Sequence, residues 1–304
     1  MRQHALLPID PLTPQGGGYV DELVQVRRAG PRPPGFPGPD APGLRPITRT
    51  PHFGLFQHGD RLVVEQYVSA RELDEDLTRM LREELFDTGW VSGPELFERI
   101  FTGVVVSAAP CPIDAWEVFY RNTLNRIAEP GYAGDEGSVI AQHAPLYARA
   151  VDLIRGATVL DLGCCFGFLS LLLARRGLHV VAVDISPGTV ALVRQVSSRL
   201  RLQVDAMTCD AARVPRADGA ADTVVVIHLL EHLPAAHALE VVEEALRLAR
   251  KRVVVAVPYE EVAEDLYGHL HTLTAEDLQE WGRGSRLPYR VEEFHGGWLV
   301  IDRQ

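Results

Sequence analysis

Lysine is almost missing from this 304-residue chain: Lys251 stands alone against 29 arginines, and acids outnumber bases to leave a net charge of −11. Neither a basic stripe nor a Lys/Arg cluster offers the phosphate neutralisation on which nucleic-acid binding rests, so a nucleic-acid partner is not expected. No apolar run approaches the roughly 18 to 20 residues that a membrane-spanning helix needs. The start, Met1 to Asp10, is short and broken by Pro8, unlike a secretory signal. The expectation is a soluble, cytoplasmic protein with no membrane partner. Four cysteines, Cys111, Cys164, Cys165 and Cys209, form neither a CxxC pair nor a zinc spacing, and adjacent cysteines rarely bridge, so reduced thiols are the default. The dinucleotide fingerprint GxGxxG is absent too, which disfavours a nicotinamide dehydrogenase.

Proline is plentiful but uneven. Eleven of the 21 prolines lie at or before Pro51. Residues 30–46 (GPRPPGFPGPDAPGLRP) should form neither a ladder nor a helix of any length, and 1–51 reads as an extended or disordered segment. Residues 52–135 regain pattern and imply a compact accessory or lid domain. There HFGLF and RLVVEQYV flank a turn at His58-Gly59-Asp60, a helix is expected over 70–86, and helical spacing recurs in 96–101 and 115–127, the latter with Asp114 as N-cap. Trp116, Phe119 and Tyr120 give that last helix an aromatic set, suited to a sulfonium or a sugar face and equally to a core.

The densest information lies in 136–304. Residues 159–167 (VLDLGCCFG) read as a strand ending in an acid and a glycine-containing turn, with a helical pattern from Phe166 to Arg175. A second apolar run, 179–185 (HVVAVDI), puts Asp184 at its own end beside that turn. Glycines let the backbone approach a ligand, helix N-terminal amides favour a carboxylate, and an acid at the next strand end accepts ribose hydroxyls. A nucleoside fits such a crevice without a pyrophosphate.

These residues resemble the class I S-adenosylmethionine-dependent methyltransferases, whose first motif runs acid-x-Gly-x-Gly-x-Gly. Asp161, Gly163 and Gly167 match, while Cys165 replaces the middle glycine. The resemblance implies S-adenosyl-L-methionine as cofactor, its methionine part along Asp161, Gly163, Cys165 and Gly167, its ribose on Asp184 beside Ile185, and its adenine near Asp210 and Ala211 in MTCDAARVP. It continues in order through 221–230 (ADTVVVIHLL), Glu231-His232-Leu233-Pro234, a helix over 235–250, a strand over 251–258, and a closing hairpin of 289–294 with 298–302. The implied fold is α/β, a Rossmann-like seven-stranded sheet with a C-terminal antiparallel hairpin, plus the smaller N-terminal accessory domain.

Methyl transfer to an alcohol needs a group that takes the hydroxyl proton as the bond forms, and a neutral imidazole suits that near pH 7. His232 is the first choice and His228 the second; four apart, they share a face if the turn after Val226 is helical. His269 or His271, beyond the fifth strand, is the alternative. These histidines with Glu231 would also suit a divalent metal, but their spacing matches no compact ligand motif, so no metal is expected. A narrower resemblance, carried by GLFQHGDRLVVEQYVSA, LFERIFTG, CPIDAWEVFYRNTL, LGCCFGF and FHGGWLVIDR, is to the mycofactocin oligosaccharide methyltransferase family. It implies a hydroxyl of an oligosaccharide as acceptor. An O-methyltransferase of another small molecule, a quinone or phenol, and a non-catalytic cofactor-binding partner subunit stay open.

Overall fold

The structure, a computed structural model, describes residues 9–13, 18–30, 42–129, 131–132, 134 and 137–303. Contacts divide the chain into two compact units, 1–141 and 142–304. Most of the proline-rich stretch, residues 31–41, lies outside the described residues.

The first unit is built on a five-stranded sheet of β1 (Gly18–Val20), β2 (Val24–Arg28), β3 (Leu44–Arg49), β4 (Phe53–His58) and β5 (Arg61–Gln66), in the order β1-β2-β5-β4-β3. The β4–β5 hairpin turns at Gly59-Asp60, with His58 opposite Arg61 and Gly59 at φ +59°, as its sequence leads one to expect. The expectation that 30–46 cannot enter a ladder fails at its end, where Leu44, Arg45 and Pro46 pair with β4. Proline is tolerated because β3 is an edge strand and its register shifts between Pro46 and Thr48.

The expected helix over 70–86 is shorter than its pattern suggests: α1 covers Leu77–Leu81 and a single π turn covers Arg82–Phe86. Asp74 and Asp76 are buried and capture backbone amides instead, Asp74 from Asp76 at 3.0 Å and Asp76 from Ile140 at 3.1 Å. Helix α2 (Pro94–Val106) lies so close on β2 that a Cβ at Gly103 would meet Val26 at 2.4 Å. Helix α3 (Pro112–Ile127) starts before Asp114, with Cys111 as N-cap and Pro112 in the first turn. Trp116, Phe119 and Tyr120 are fully buried within this unit, so the aromatic set is core.

The second unit is an α/β layer. Helix α4 (Val139–Leu153) precedes β6 (Thr158–Leu162), α5 (Phe168–Arg175), β7 (His179–Asp184), α6 (Pro187–Arg199), β8 (Val204–Thr208) and β9 (Ala221–Ile227). There follow α7 (Ala235–Leu248), β10 (Ala249–Val257), α8 (Ala275–Ser285), β11 (Tyr289–Glu293) and β12 (Gly297–Asp302). The sheet order is β11-β12-β10-β9-β6-β7-β8, with β12 antiparallel to β10 and to β11 and the other pairs parallel. This is the Rossmann-like seven-stranded sheet with a closing hairpin.

Alternation explains how the sheet is covered on both faces. Leu160, Leu162, Val224, Val226, Val253 and Val255 pack in one core with Val241, Val242 and Ala245 of α7 and Leu278 of α8. Their neighbours Val159, Val225, Val254 and Ala256 pack in another with Ala150 of α4 and Leu169 and Leu173 of α5. β6 pairs with both β7 and β9, so the chain winds outward in opposite directions from the β6/β9 seam. The carboxyl ends of strands at such a reversal leave the crevice where ligands of open α/β sheets bind. Among the described residues no helix is long and apolar enough to cross a membrane.

Candidate functional site

The loop after β6 is held by backbone and one carboxylate. Gly163 and Cys164 donate their N–H groups to Val183 O at 2.8 and 2.9 Å, and Gly167 N–H reaches Cys164 O at 2.7 Å. Gly163 and Gly167 have φ of +72° and +69°, and Cys165, in the place of the family's middle glycine, takes the same left-handed conformation at +48°. A Cβ at Gly163 would meet the Leu229 side chain at 2.7 Å, so the β6 loop and the segment after β9 are in close contact. Asp161 is buried and accepts from Ser170 Oγ at 2.7 Å, which ties β6 to the first turn of α5. Burial, reinforced by the Asp184 charge, pushes its carboxyl up to about 6 despite that hydrogen bond.

Asp184 ends β7 facing this loop. One oxygen accepts Cys165 N–H and the other Ser186 N–H, each at 2.9 Å. Ile185 beside it is an apolar side chain left 73% exposed. Cys209 N–H donates to Asp184 O at 3.1 Å, which brings Asp210 and Ala211 to the same rim. Asp210 accepts Ala212 N–H at 2.9 Å and lies 3.1 Å from His237 Nε2. His237 carried no signal in the sequence, since α7 brings it to Asp210 from 27 positions away. The eight residues expected from the sequence to meet a cofactor lie at or next to the ends of β6, β7 and β8, with Asp161 buried beneath the loop.

The histidine set is arranged differently from expectation. After β9 the chain makes only a three-residue 3₁₀ turn, Leu230–His232, and His228 takes a left-handed φ of +52°. His228 and His232 thus do not share a helical face. His228 Nε2 has no hydrogen-bond partner among the described residues, while its Nδ1 is 3.8 Å from Glu231 Oε1, and its ring meets that of His143 of α4 edge-on at 6.1 Å. Burial foremost, then the neighbouring imidazoles, brings His228 down to about 3, so the ring is neutral at physiological pH.

His232 turns to the segment after β10. Its Nδ1 is 3.3 Å from Gly268 O and its ring stands edge-on to that of His269 at 4.8 Å. Burial and the adjacent His269 lower its pKa. Leu270 N–H donates to Glu231 O at 2.8 Å and fixes this approach. His269 Nδ1 is 2.8 Å from a Glu260 oxygen. His271 Nε2 has no hydrogen-bond partner among the described residues, and Thr274 caps α8 with a full capping box. Glu231 is 1% exposed, and neither carboxylate oxygen has a hydrogen-bond partner among the described residues. Desolvation pushes its carboxyl up to about 8. Glu260, His143 and Ser170 are site residues that pattern alone did not reveal, because each is recruited from a separate element.

Parts of the chain are similar to known proteins. Residues 159–252 match the profile of the family described as "Methyltransferase domain". A "Ubiquinone biosynthesis O-methyltransferase" of Azorhizobium caulinodans is 30% identical over 95 residues, 31% of this chain and 38% of that protein. One of Xanthomonas campestris pv. campestris is 38% identical over 92 residues, 29% of this chain and 37% of that protein. The chain therefore matches little more than a third of these relatives' length. Among solved structures, magnesium protoporphyrin IX methyltransferase from Synechocystis PCC 6803 with bound SAH aligns with a TM-score of 0.47 at 20% identity, covering 60% of this chain and 94% of that one.

Proposed function

We propose that the chain is an S-adenosyl-L-methionine-dependent O-methyltransferase acting on a hydroxyl of a sugar-containing small molecule. The observation that carries the reading is Asp184, an acid at a strand tip bonded to the neighbouring glycine loop through Cys165 N–H and flanked by an exposed Ile185. These residues fit the cofactor. Each Asp184 oxygen accepts one backbone N–H and keeps lone-pair capacity for a ribose hydroxyl, and Ile185 offers an apolar face to adenine. In this reading Asp210 and Ala211 meet the adenine edge, and the loop at Gly163, Cys165 and Gly167 allows the methionine part a close backbone approach. Asp161 serves by fixing that loop to α5 through Ser170.

When bound, S-adenosylmethionine supplies an electrophilic methyl group. The acceptor oxygen must be held in line with it and lose its proton as the new bond forms. Among His232, His228 and His271 we assign that proton to His228 Nε2, a ring that burial keeps neutral and so able to accept it, at the cost of making it a weak base. It has no hydrogen-bond partner among the described residues, and its neighbour Leu229 is the side chain that closes on Gly163. A left-handed backbone at a non-glycine residue is costly, and such strain is characteristic of functional positions.

The oligosaccharide of mycofactocin is the acceptor to which the narrower sequence resemblance points. A quinone or phenol is the second reading, favoured by the relatives named for ubiquinone biosynthesis. Labelled methyl donor offered with an oligoglucoside and with a catechol separates them. Methylation of the glucoside supports the first reading, transfer to the catechol alone replaces it with the second, and cofactor binding without transfer to either, or to any component of a cognate extract, rejects the catalytic reading.

A further inference from the structure

Glu231 is buried to 1% exposure with two carboxylate oxygens that no hydrogen bond reaches among the described residues. A carboxyl buried this deeply without a hydrogen bond is disfavoured as an anion, and a cation brought beside it would meet that charge. Two imidazoles stand beside it: donor atoms of Glu231, His232 and His269 all lie within 4.8 Å of one another.

The outer contacts of both rings are informative. His269 Nδ1 lies 2.8 Å from a Glu260 carboxylate oxygen, and His232 Nδ1 lies 3.3 Å from the Gly268 carbonyl. Both partners are acceptors, so each ring places its proton on Nδ1 and keeps the Nε2 lone pair for something else. Orientation of an imidazole by a carboxylate or a backbone carbonyl on its far nitrogen is the usual outer arrangement of metal-bound histidine. The Leu270 N–H bond to Glu231 O, 2.8 Å long, holds the two segments together.

From this convergence we propose that Glu231, His232 and His269 bind one divalent transition-metal ion through a carboxylate and two imidazole nitrogens. Metal–ligand distances of about 2.0 to 2.2 Å draw such donors to roughly 3 to 3.5 Å from one another, a side-chain adjustment of about an ångström from the limit seen here. Nitrogen and oxygen donors in this proportion suit zinc, cobalt, iron or manganese more than magnesium or calcium. Three protein donors leave coordination positions open. On the methyltransferase reading, an acceptor with vicinal hydroxyls would fill them, which places diols of a sugar or a catechol ahead of isolated alcohols. The metal site itself does not depend on that reading.

The test uses the full chain, stripped with a chelator and titrated with Co²⁺, followed by visible absorption and by metal content after desalting. One Co²⁺ per chain is expected, with the ligand-field bands of nitrogen and oxygen coordination. His269→Ala and Glu231→Gln should each weaken binding at least about 100-fold, and Glu260→Gln by about 10- to 100-fold through loss of ring orientation. His179→Ala, at an exposed position on β7, should leave it unchanged. No saturable binding to the wild-type chain overturns the proposal whatever the variants do, as does wild-type affinity in folded His269→Ala and Glu231→Gln. S-adenosylhomocysteine affinity, measured on the same samples, separates this failure from failure of the methyltransferase reading.

Discussion

The ends of β7 and β9 both place a carboxylate at the same crevice, yet they are finished in opposite ways. Asp184, after β7, has a backbone N–H on each oxygen at 2.9 Å, and its loop is closed by further main-chain bonds. Glu231, after β9, is more deeply buried and has none on either oxygen among the described residues. The first arrangement is preorganised by the chain itself and asks a ligand only to fill remaining lone pairs. The second leaves polarity unmet, and His228 beside it carries a ring nitrogen without a hydrogen-bond partner among the described residues. In the proposed assignment, the strand end given to the cofactor has its carboxylate held by the chain, while the one given to the acceptor keeps polar atoms that no described residue meets.

The sharpest way to break this contrast is Asp184→Ala, which removes both amide contacts and the ribose acceptor together. Cofactor affinity should fall at least about 100-fold by calorimetry, the loss of two charge-assisted hydrogen bonds. Unchanged affinity would show that the preorganised side is not the cofactor side. His228→Ala should lower kcat by about 10²- to 10³-fold with S-adenosylhomocysteine affinity intact, the range for removal of a positioned base. A fall in both together would place His228 on the cofactor side.

Much of the second unit was legible from its strand runs. Residues 224–227 of β9 are apolar throughout because both faces are covered, and the acids at 161, 184 and 210 fall at strand ends in the order the motif requires. What could not be read was how the segments after β9 and β10 meet. The turn at His228 depends on a left-handed backbone that no residue type there advertises, and Glu260 and His269 lie in a stretch without periodicity between β10 and α8. His237 reaches Asp210 only because α7 packs on the sheet. In the first unit, proline content hid an edge strand at Leu44–Arg49, and buried aspartates shortened a helix whose apolar pattern ran longer.

Two smaller effects sharpen the comparison within the preorganised side. Asp161 has a folded pKa of about 6, above its unfolded value near 4, so the folded state holds the proton more tightly. Stability should therefore decline as pH rises from about 4 to about 6 and stay lower above that window. Asp161→Asn, which still accepts from Ser170, should remove this decline and gain on the order of 3 kcal/mol at pH 8 by denaturant titration. A decline that persists in the variant would assign it to another group. Cys165→Gly relieves a left-handed β-carbon but adds freedom to the unfolded chain, so the net change should lie within about 1 kcal/mol with cofactor affinity kept. A large loss of affinity would instead give the Cys165 side chain a direct contact.

On the proposed reading the crevice at the ends of β6 and β7 takes an adenosyl group on carboxylates and not a pyrophosphate. Calorimetric titration of the wild-type chain with S-adenosylhomocysteine, and separately with NAD, decides this. One saturable site for S-adenosylhomocysteine is expected, which NAD neither fills nor competes for. Absence of S-adenosylhomocysteine binding, or displacement of it by NAD, would contradict it.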